Sequence, residues 1–383
     1  MSQPPPGLSP HAPICPSPPD WKRAENVLLI RLRSIGDTVL MTPCLAAIKS
    51  WRPDIKITVV SEPLASPLLK EHPLIDHLVV SGDGLSARAR LIGELRRAGF
   101  DVAFNLHGGT TATLICALSG ARVTVGYEGY RYSGLLNLRA PSPDVLLGRQ
   151  VLHSVEQQLA LLCWAGVPWP DEAKLSLPVS PAALTPVRAR LKLVGIYPGS
   201  HAAPGYAVLS PAASDQSKMW PRQSFAQVAK YLVERYQLRS VVIAGSHEES
   251  IAGDVASSSG NCAVAVTGLN LEELVALIAD STVFIGNDSG PMHIAAALGR
   301  PLVAIFGGSS SNVWSPWTST PKRVLIAPDT NGDHKLTSGA SLGSGPNAGR
   351  VIGRISIDEV TAAVAEVLHI HAERPREPVA ASH

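Results

Sequence analysis

The feature that most constrains the fold is the stretch from residue 281 to residue 308, STVFIGNDSGPMHIAAALGRPLVAIFGG. Residues 282–286 are β-branched and aromatic, which is typical of a buried parallel strand. Residues 287–290, Asn-Asp-Ser-Gly, have turn chemistry, Pro291 suits the first turn of a helix, and residues 302–306 form a second strand. The stretch predicts a strand–loop–helix–strand unit whose helix N-terminus lies where open α/β sheets bind anions. A plain βαβ unit with a capped helix explains it equally well.

The same alternation of strand and helix patterns occurs twice along the chain. In the first half, strands are predicted at 27–32, 57–61, 78–80, 102–106 and 123–126. The pattern restarts with strands at 206–210, 240–244, 264–266, 282–286 and 302–306. Helices are predicted between the strands, among them 37–50, 64–71 and 85–98 in the first half and 221–236 and 271–279 in the second. Strands that alternate with helices predict an α/β protein with doubly wound parallel sheets. We therefore expect two such domains, at residues 23–185 and 186–370.

The segments outside these domains differ in composition. Residues 1–22 include eight prolines and are predicted to be a disordered arm, and residues 371–383 a loose tail. Residues 329–350 are rich in Gly and Ser and are predicted to be a long mobile loop. Residues 126–147 have no clear period and are expected to be irregular and to line a cleft.

Composition narrows the functional class. A formal charge of +2 with 17% charged residues gives no bulk attraction for nucleic acid. Residues 21–150 contain 16 Lys/Arg and 11 Asp/Glu, an excess that suits an anionic acceptor or an anionic membrane face. The five cysteines are widely spaced, no metal-ligand spacing is present, and neither a membrane span nor a signal region is apparent. We expect a cytoplasmic protein without metal or cofactor, peripheral at the inner face of the membrane at most.

Asp37 follows the first strand and is a candidate general base. The dinucleotide fingerprint G-x-G-x-x-G is absent from this loop, which argues against an oxidoreductase. Asp37 stands where a helix N-cap belongs, and capping alone, which contributes about 1 kcal/mol, would explain it. As a base facing a cleft it would contribute about 10²–10⁴ in rate. Both interpretations stay open on the local sequence.

Two further places carry candidate phosphate ligands. Ser214 and Lys218 lie between a strand and a helix, where a hydroxyl and an ammonium suit phosphate oxygens, although a cap and a solvated lysine explain them as well. In the opening stretch, Ser289 and the N–H groups at the helix start suit an anion. Asp288 would repel phosphate, so we expect it to orient the loop or to pair with Lys218.

Three motifs together resemble glycosyltransferase family 9, the lipopolysaccharide heptosyltransferases. They are IRLRSIGDTVLMTP at 30–43, LSPAASDQSKMWP at 209–221 and NDSGPMH at 287–293. The resemblance covers residues 24–370 and departs from the family at both tails, in the 329–350 loop, and in Ser-Pro-Ala-Ala-Ser at 210–214. It implies the GT-B fold, two facing Rossmann-like domains with the site in the cleft.

The resemblance also implies roles for individual residues. Asp37 would be the catalytic base. The donor phosphates would be bound by Ser214, Lys218, Asp288, Ser289, Gly290 and His293. Glu248 would bind the nucleoside. Acceptor phosphates or carboxylates would be bound by Arg31, Arg33, His107 and Arg131, each of which is equally explained as a solvated surface residue.

The function that the resemblance implies is inverting transfer of heptose, or a related sugar, from an ADP-sugar to a hydroxyl of the lipopolysaccharide core or of a lipid-linked acceptor. The expected partners are the nucleotide sugar and an anionic glycolipid, with the N-terminal domain touching the membrane. Two alternatives remain on sequence grounds. One is a GT-B nucleotide-sugar epimerase, and the other is a non-catalytic nucleotide- or saccharide-binding module.

Overall fold

The computed structural model describes residues 7–197, 205–307, 309–327 and 352–373. The chain divides into two compact units. The first ends at Ser180 and also includes Asn312–Trp317, and the second begins at Pro181 and resumes at Thr318. The sequence pattern predicted a boundary at residue 185, and no pattern indicated that a later segment returns to the first unit.

The first unit is built on a sheet in which all neighbouring strands are parallel. Its strands are β1 Asn26–Ile30, β2 Lys56–Ser61, β3 His77–Val80, β4 Val102–Asn105, β5 Val123–Tyr127 and β6 Leu138–Ala140. Their order across the sheet is β3-β2-β1-β4-β5-β6. Strand β1 is central because its apolar run has both faces covered, and Leu28 pairs with Thr58 on one side and Ala103 on the other.

Helices cover this sheet between the strands. They are α1 Ile35–Trp51, α2 Leu85–Ala98, α3 Thr110–Leu118, α4 Pro143–Leu147 and α5 Ser154–Trp164. The helix predicted at 64–71 is only a 3₁₀ turn, Ser66–Leu68, because Pro67 lies in the middle of the predicted range. Residues 126–147 are not irregular throughout, since they contain β6 and α4.

The second unit repeats the same architecture. Its strands are β7 Tyr206–Ser210, β8 Arg239–Ala244, β9 Ala263–Thr267, β10 Val283–Asn287, β11 Leu302–Phe306 and β12 Lys322–Ile326. Its helices are α6 Pro181–Leu193, α7 Arg222–Tyr236, α8 Glu249–Ser258, α9 Leu271–Ala279, α10 Gly290–Ala297 and α12 Ile357–Glu373. The short helix α11, Ser311–Trp314, belongs to the first unit from Asn312 onward. The sheet order β12-β11-β10-β7-β8-β9 is also parallel throughout. Helix α8 and strand β12 were not predicted.

Both sheets therefore have the same reversal of strand order. Counted within its own unit, each sheet reads 3-2-1-4-5-6, with the reversal between the first and fourth strands. Loops diverge at this switch point and leave a crevice beyond the carboxyl ends of the strands, where open α/β sheets bind their ligands. The switch points lie between β1 and β4 in the first unit and between β7 and β10 in the second.

The predicted disordered arm is wrong for residues 7–22, which pack on the first unit. The Trp164 indole donates to the Pro13 carbonyl at 2.9 Å, and the Ser9 amide donates to Leu146 at 2.8 Å. Trp21 stacks on Phe104 with ring centroids 6.3 Å apart. A proline-rich segment needs no internal hydrogen bonds, so a few anchors and apolar contacts suffice to hold it.

At the other end, α12 continues to Glu373, so residues 371–373 of the predicted tail are helical. Residues 1–6 of the arm, residues 374–383 of the tail and the predicted loop at 329–350 lie outside the described residues.

The returning segment Asn312–Trp317 is held by specific contacts within the first unit. The Trp317 indole donates to the Ala173 carbonyl at 2.5 Å, and its ring lies 4.7 Å from that of His153. His153 Nε2 in turn donates to the Ser315 carbonyl at 2.8 Å. The segment is thus an integral part of the first unit.

Candidate active site

The loop after β1 places Asp37 at the first switch point. Ser34, not Asp37 as the sequence predicted, is the N-cap of α1, and Asp37 is the third residue of the helix. One oxygen of Asp37, Oδ2, accepts from the Ser34 amide at 3.3 Å and from the Ser34 hydroxyl at 3.1 Å. The carboxylate therefore closes a capping box and still presents a side chain that is 20% exposed.

Arg31 forms an ion pair with this carboxylate. One of its terminal nitrogens donates to Asp37 Oδ1 and the other to the Leu106 carbonyl. Its side chain is only 8% exposed, so the guanidinium is fixed between the ends of β1 and β4. Arg31 is therefore committed to orienting Asp37.

Asn105, the last residue of β4, shapes the loop that carries His107. It is fully buried, and its Oδ1 accepts from the backbone amides of His107 at 3.1 Å and Gly108 at 3.0 Å. Its Nδ2 donates to Thr113 Oγ1 at 3.0 Å. Gly108 has φ +81°, and a Cβ there would lie 2.6 Å from the Tyr130 ring. Only glycine permits this turn and this close approach.

These residues surround a cavity of about 260 Å³ in the first unit. Its wall combines Arg31, Asp37 and His107 with the rings of Tyr127 and Tyr130. The remaining lining residues are Leu106, Ser154, Gln157, Gln158, Leu161 and Trp314. Burial and the neighbouring Arg31 lower the pKa of His107 to about 4. The imidazole is therefore neutral near pH 7 and can both donate and accept a hydrogen bond.

Two predicted acceptor ligands are not part of this cavity. The Arg33 side chain is 75% exposed and lies 3.8 Å from Glu62. Arg131 is exposed, with its guanidinium over the ring of Tyr132. The structure therefore brings together Asp37, Arg31 and His107, and leaves Arg33 and Arg131 on the surface.

At the second switch point, Lys218 and Asp288 form a pair. Lys218 ends the 3₁₀ turn Gln216–Lys218 after β7, and its Nζ lies 2.7 Å from Asp288 Oδ2. The same oxygen accepts from the hydroxyl of Ser309, which sequence reasoning missed. Asp288 is 6% exposed and Lys218 is 26% exposed, so the ammonium reaches solvent while the carboxylate is buried. This confirms the predicted pairing.

Asn287 ties the two donor-site loops together. It is fully buried at the end of β10, and its Oδ1 accepts from the Trp220 amide at 3.1 Å. Its Nδ2 donates to the Pro211 carbonyl at 2.7 Å. The loop after β7 is therefore held in register with the loop after β10.

Helix α10 begins directly after this loop. Ser289 is the N-cap residue, but its side chain makes no capping hydrogen bond. Its hydroxyl instead donates to the backbone carbonyl of Asn287 at 3.3 Å. Gly290 and Pro291 form the first turn. The Met292 amide donates to the Ser289 carbonyl at 3.1 Å, so it does not point at an external anion as expected. The helix start and its dipole remain suited to negative charge.

The other predicted donor ligands are less closely grouped. Ser214 is exposed in the loop that leads to Lys218, and His293 is 4% exposed within α10. Glu248 is half-buried between β8 and α8, one strand away from the switch point. Within the described part of the chain, no three His, Cys, Asp or Glu side chains are grouped as a metal site would require.

The two units and their sites define the class of the protein as a GT-B fold. A family 9 glycosyltransferase from Veillonella parvula superposes with TM-score 0.76 at 20% identity, over 90% of this chain and 97% of that one. The E. coli ADP-heptose lipopolysaccharide heptosyltransferase II superposes with TM-score 0.71 at 21% identity, over 91% and 99%. The predicted fold class is confirmed.

Sequence similarity identifies the family. Residues 88–340 match glycosyltransferase family 9 (heptosyltransferase). Lipopolysaccharide heptosyltransferase 3 of Escherichia coli is 29% identical over 302 residues, 75% of this chain and 85% of that protein. Lipopolysaccharide heptosyltransferase 2 of Salmonella typhimurium is 29% identical over 341 residues, 82% and 91% respectively. The chain belongs to glycosyltransferase family 9, as its motifs indicated.

Proposed function

We propose that this protein is an inverting heptosyltransferase that moves heptose from an ADP-sugar to a hydroxyl of the lipopolysaccharide core or of a related lipid-linked acceptor. Similarity to lipopolysaccharide heptosyltransferases 2 and 3 supports the substrate class. The observation that carries the proposal is the charge at the two switch points. The first holds an oriented carboxylate, and the second an ammonium beside a helix N-terminus.

In the acceptor half, Asp37 is the general base. Arg31 and Ser34 each hold one carboxylate oxygen, which fixes the direction in which the group faces the cavity. A carboxylate has about four acceptor sites, so lone pairs remain for the proton of an acceptor hydroxyl. Positioned proton transfer of this kind contributes about 10²–10⁴ in rate.

In the donor half, Lys218 binds the diphosphate. One of its three N–H groups is directed to Asp288, and the others remain for phosphate oxygens. Asp288 therefore positions the ammonium and does not itself contact phosphate. Ser214, Ser289, Gly290 and His293 complete the proposed phosphate site, and Glu248 is assigned to the ribose.

The reaction balances with these groups. Asp37 takes the proton of the acceptor hydroxyl as its oxygen bonds to the anomeric carbon. The bond from that carbon to the diphosphate breaks, and its electron pair leaves with ADP. Lys218 and the start of α10 stabilise the charge that develops on the leaving oxygen. No step in this reaction uses a metal ion, so we expect the same turnover with and without EDTA.

Transfer from ADP-heptose to a core-truncated lipopolysaccharide acceptor, followed by mass spectrometry of the product, tests the activity. Asp37→Asn is expected to lower kcat by about 10²–10⁴ and to leave ADP affinity unchanged. Asp83→Asn, the same change at an exposed aspartate of the first unit outside the cavity, is the matched control and is expected to keep the wild-type rate. A wild-type rate for Asp37→Asn would refute the base assignment.

Two control reactions decide between the proposal and its alternatives. Epimerised sugar without acceptor would identify an epimerase, and ADP binding without turnover on any acceptor would identify a binding module. Thermal shifts with ADP, UDP and GDP report the preferred nucleotide, because a ligand that binds the folded state raises its stability.

We also propose a cytoplasmic location with peripheral contact to the membrane through the first unit. Leu85 is 85% exposed at the start of α2, and Arg90, Arg96 and Arg97 are exposed along the same helix. Apolar and basic groups together suit an anionic lipid surface. Within the described ranges, no helix is long and apolar enough to cross a membrane.

Flotation with phosphatidylglycerol vesicles tests this contact. Leu85→Ser is expected to reduce vesicle binding, whereas Leu193→Ser, at a leucine that is 88% exposed in the second unit, is expected to have no effect. An equal loss of vesicle binding in both variants, or no vesicle binding by the wild type, would contradict the proposed membrane contact.

A further inference from the structure

Ser309 lies where three loops of the second unit meet. Lys218 belongs to the loop after β7, Asp288 to the loop after β10, and Ser309 to the loop after β11. Strands β10 and β11 are parallel neighbours, and the Asp288 amide extends their ladder by donating to the Ile305 carbonyl at 3.2 Å. The loop after β11 then brings Ser309 to the same carboxylate that binds Lys218.

The Asp288 carboxylate is held through one of its two oxygens. Oδ2 accepts from Lys218 Nζ at 2.7 Å and from the Ser309 hydroxyl. Among the described residues no other group donates to this carboxylate, although its side chain is only 6% exposed. A buried charge with few hydrogen-bond donors is unfavourable. The Ser309 hydroxyl therefore contributes a large share of what keeps this carboxylate in place.

The direction of this hydrogen bond determines what Ser309 can do. A serine hydroxyl has a single proton, and an ionised carboxylate only accepts, so the proton of Ser309 is directed at Asp288. Towards a phosphate oxygen the hydroxyl then presents lone pairs alone, and two acceptors do not bond to each other. In this arrangement Ser309 is not a phosphate ligand, and it acts on Lys218 through Asp288.

The second donor changes how tightly Lys218 is held. Its side chain is 26% exposed, and its ammonium has three N–H groups that a phosphate can share with Asp288. If the ammonium were the sole donor, turning it towards a phosphate would leave a buried carboxylate without compensation, which is strongly unfavourable. With Ser309 bonded to the same oxygen, Lys218 can move towards a phosphate at a smaller free-energy cost.

Backbone packing keeps Ser309 within reach of Asp288. Two residues earlier, Gly307 passes so close to the turn that ends at Lys218 that a Cβ would overlap the Ser217 carbonyl oxygen. On the other side, Ile352 Cβ would lie 3.0 Å from the same Cβ. The start of the loop is thus confined on two sides, and the half-buried Ser309 follows directly from it.

We propose that Ser309 is a positioning residue of the donor site, whose hydroxyl shares the Asp288 carboxylate with Lys218 and so leaves the ammonium available to the diphosphate. The inference rests on the proposed function, in which Lys218 binds that diphosphate. It adds to the donor site a residue of the loop after β11, which lies outside the three sequence motifs.

Binding of ADP and of adenosine, measured by calorimetric and NMR titration, tests this role. Ser309→Ala is expected to bind ADP about tenfold more weakly, because a bond to a charged group is lost. It is expected to bind adenosine like the wild type, because adenosine has no phosphate for Lys218. Ser310→Ala, the same change at the next, also half-buried serine, is the matched control and is expected to bind both ligands normally.

A pair of larger substitutions separates the hydroxyl from the shape of the side chain. Ser309→Thr keeps the hydroxyl and is expected to retain ADP affinity, whereas Ser309→Val has nearly the same shape without it and is expected to lose about tenfold. This comparison also decides the question if Ser309→Ala fails to fold.

A double-mutant cycle tests whether Ser309 acts through Asp288. In an Asp288→Ala background the hydroxyl has no carboxylate to bond, so adding Ser309→Ala is expected to change ADP affinity no further. If the loss of about tenfold persists in that background, Ser309 contacts the phosphate itself, and the positioning role is wrong.

The outcomes separate this inference from the proposed function. A wild-type protein that binds no ADP removes the proposed donor site, and the role of Ser309 with it. A wild-type protein that binds ADP, together with a Ser309→Ala variant of equal affinity, overturns the role of Ser309 alone. An equal loss for ADP and adenosine in Ser309→Ala also overturns that role, because it indicates general damage to the site. Heptose transfer by the wild type is measured independently of all three.

Discussion

Replacing Gly307 by alanine tests how the lysine of the donor site is held in place. A Cβ at this position would lie 2.4 Å from the Ser217 carbonyl oxygen and 3.0 Å from Ile352 Cβ. The Ser217 carbonyl belongs to the backbone of the turn that ends at Lys218, so it cannot rotate away as a side chain would. The neighbouring residue, Lys218, places its Nζ 2.7 Å from Asp288.

The size of the perturbation follows from these distances. Ordinary van der Waals contact begins at 3.4 Å, so Ser217 or residue 307 has to move by about 1 Å. Overpacking of this kind costs about 1–3 kcal/mol in unfolding free energy. Misplacement by about 1 Å costs up to about 10² in rate where geometry is critical. We expect Gly307→Ala to weaken ADP binding at least about tenfold, or about 1.4 kcal/mol.

Urea unfolding followed by tryptophan fluorescence measures the unfolding free energy, and calorimetric titration with ADP measures the affinity for the nucleotide. Gly253→Ala is the matched control, because a Cβ there meets nothing within 4 Å and the residue lies in helix α8. It is expected to raise stability by up to about 1 kcal/mol and to leave ADP affinity unchanged. If Gly307→Ala matches the wild type in both measurements, the steric reasoning is wrong.

Three further predictions concern the first unit. His107 has a pKa of about 4 instead of 6.5, so between these values the unfolded chain binds a proton that the folded chain does not. His107 therefore makes the unfolding free energy fall by about 3 kcal/mol as pH drops through this window, and His107→Gln should reduce the slope in urea titrations at several pH values; burial also lowers the pKa of His72, which contributes to the remaining slope. Asn105→Ala should cost about 2–4 kcal/mol, because two backbone amides lose their acceptor, and an unchanged urea midpoint would contradict this. Deleting residues 1–20 should lower Tm in calorimetry, since Trp164 loses its carbonyl partner, whereas a dispensable arm would leave Tm unchanged.

Elements with clear local boundaries could be predicted from the sequence alone. Helix α2 has the predicted bounds, because Gly84 and Gly99 flank it and both adopt positive φ. Strand β11 also has the predicted bounds, since all five residues are apolar and buried. In both cases the local pattern and the tertiary environment favour the same structure.

In the elements that were not predicted, the local sequence pattern and the tertiary environment do not favour the same structure. Helix α8, ESIAGDVASS, contains a central glycine and three serines, which are weak helix formers, so packing against β8 and β9 decides its conformation. Strand β12 lies at a sheet edge and is only half-buried, so its sequence shows little hydrophobic pattern. Helix α8 and strand β12 are both determined by packing against residues distant in the sequence, which a short stretch of sequence does not reveal.

The candidate site was predictable where position along a strand determines it. Asp37 follows a strand that flanks the switch point of the first sheet, and Lys218 and Asp288 follow the two strands that flank the switch point of the second. Within each sheet, topology alone brings residues in such positions to the carboxyl edge. Arg33 and Arg131 also lie in loops of the first unit, but side-chain direction depends on loop geometry that the sequence does not encode locally. The predicted catalytic and binding roles themselves stay proposals.

One available signal was overlooked at the ends of two equivalent strands. Asn105 ends β4 and Asn287 ends β10, and each is the fourth strand of its own sheet. Both are fully buried polar residues that close an otherwise apolar run. A buried amide at such a position has to hydrogen-bond, and both bond to the loops that form the sites.

The return of Asn312–Trp317 to the first unit affects how the protein is made. Translation delivers residues up to Ser180 early, yet Trp314 and Trp317 emerge only after most of the second unit has been synthesised. A nascent chain halted at Ser180 therefore has an incomplete cavity wall, and its Ala173 carbonyl lacks the hydrogen bond from the Trp317 indole. Folding of the first unit can then be completed only late in translation or after it. A gene fragment that ends at Ser180 would encode a first unit without Asn312–Trp317.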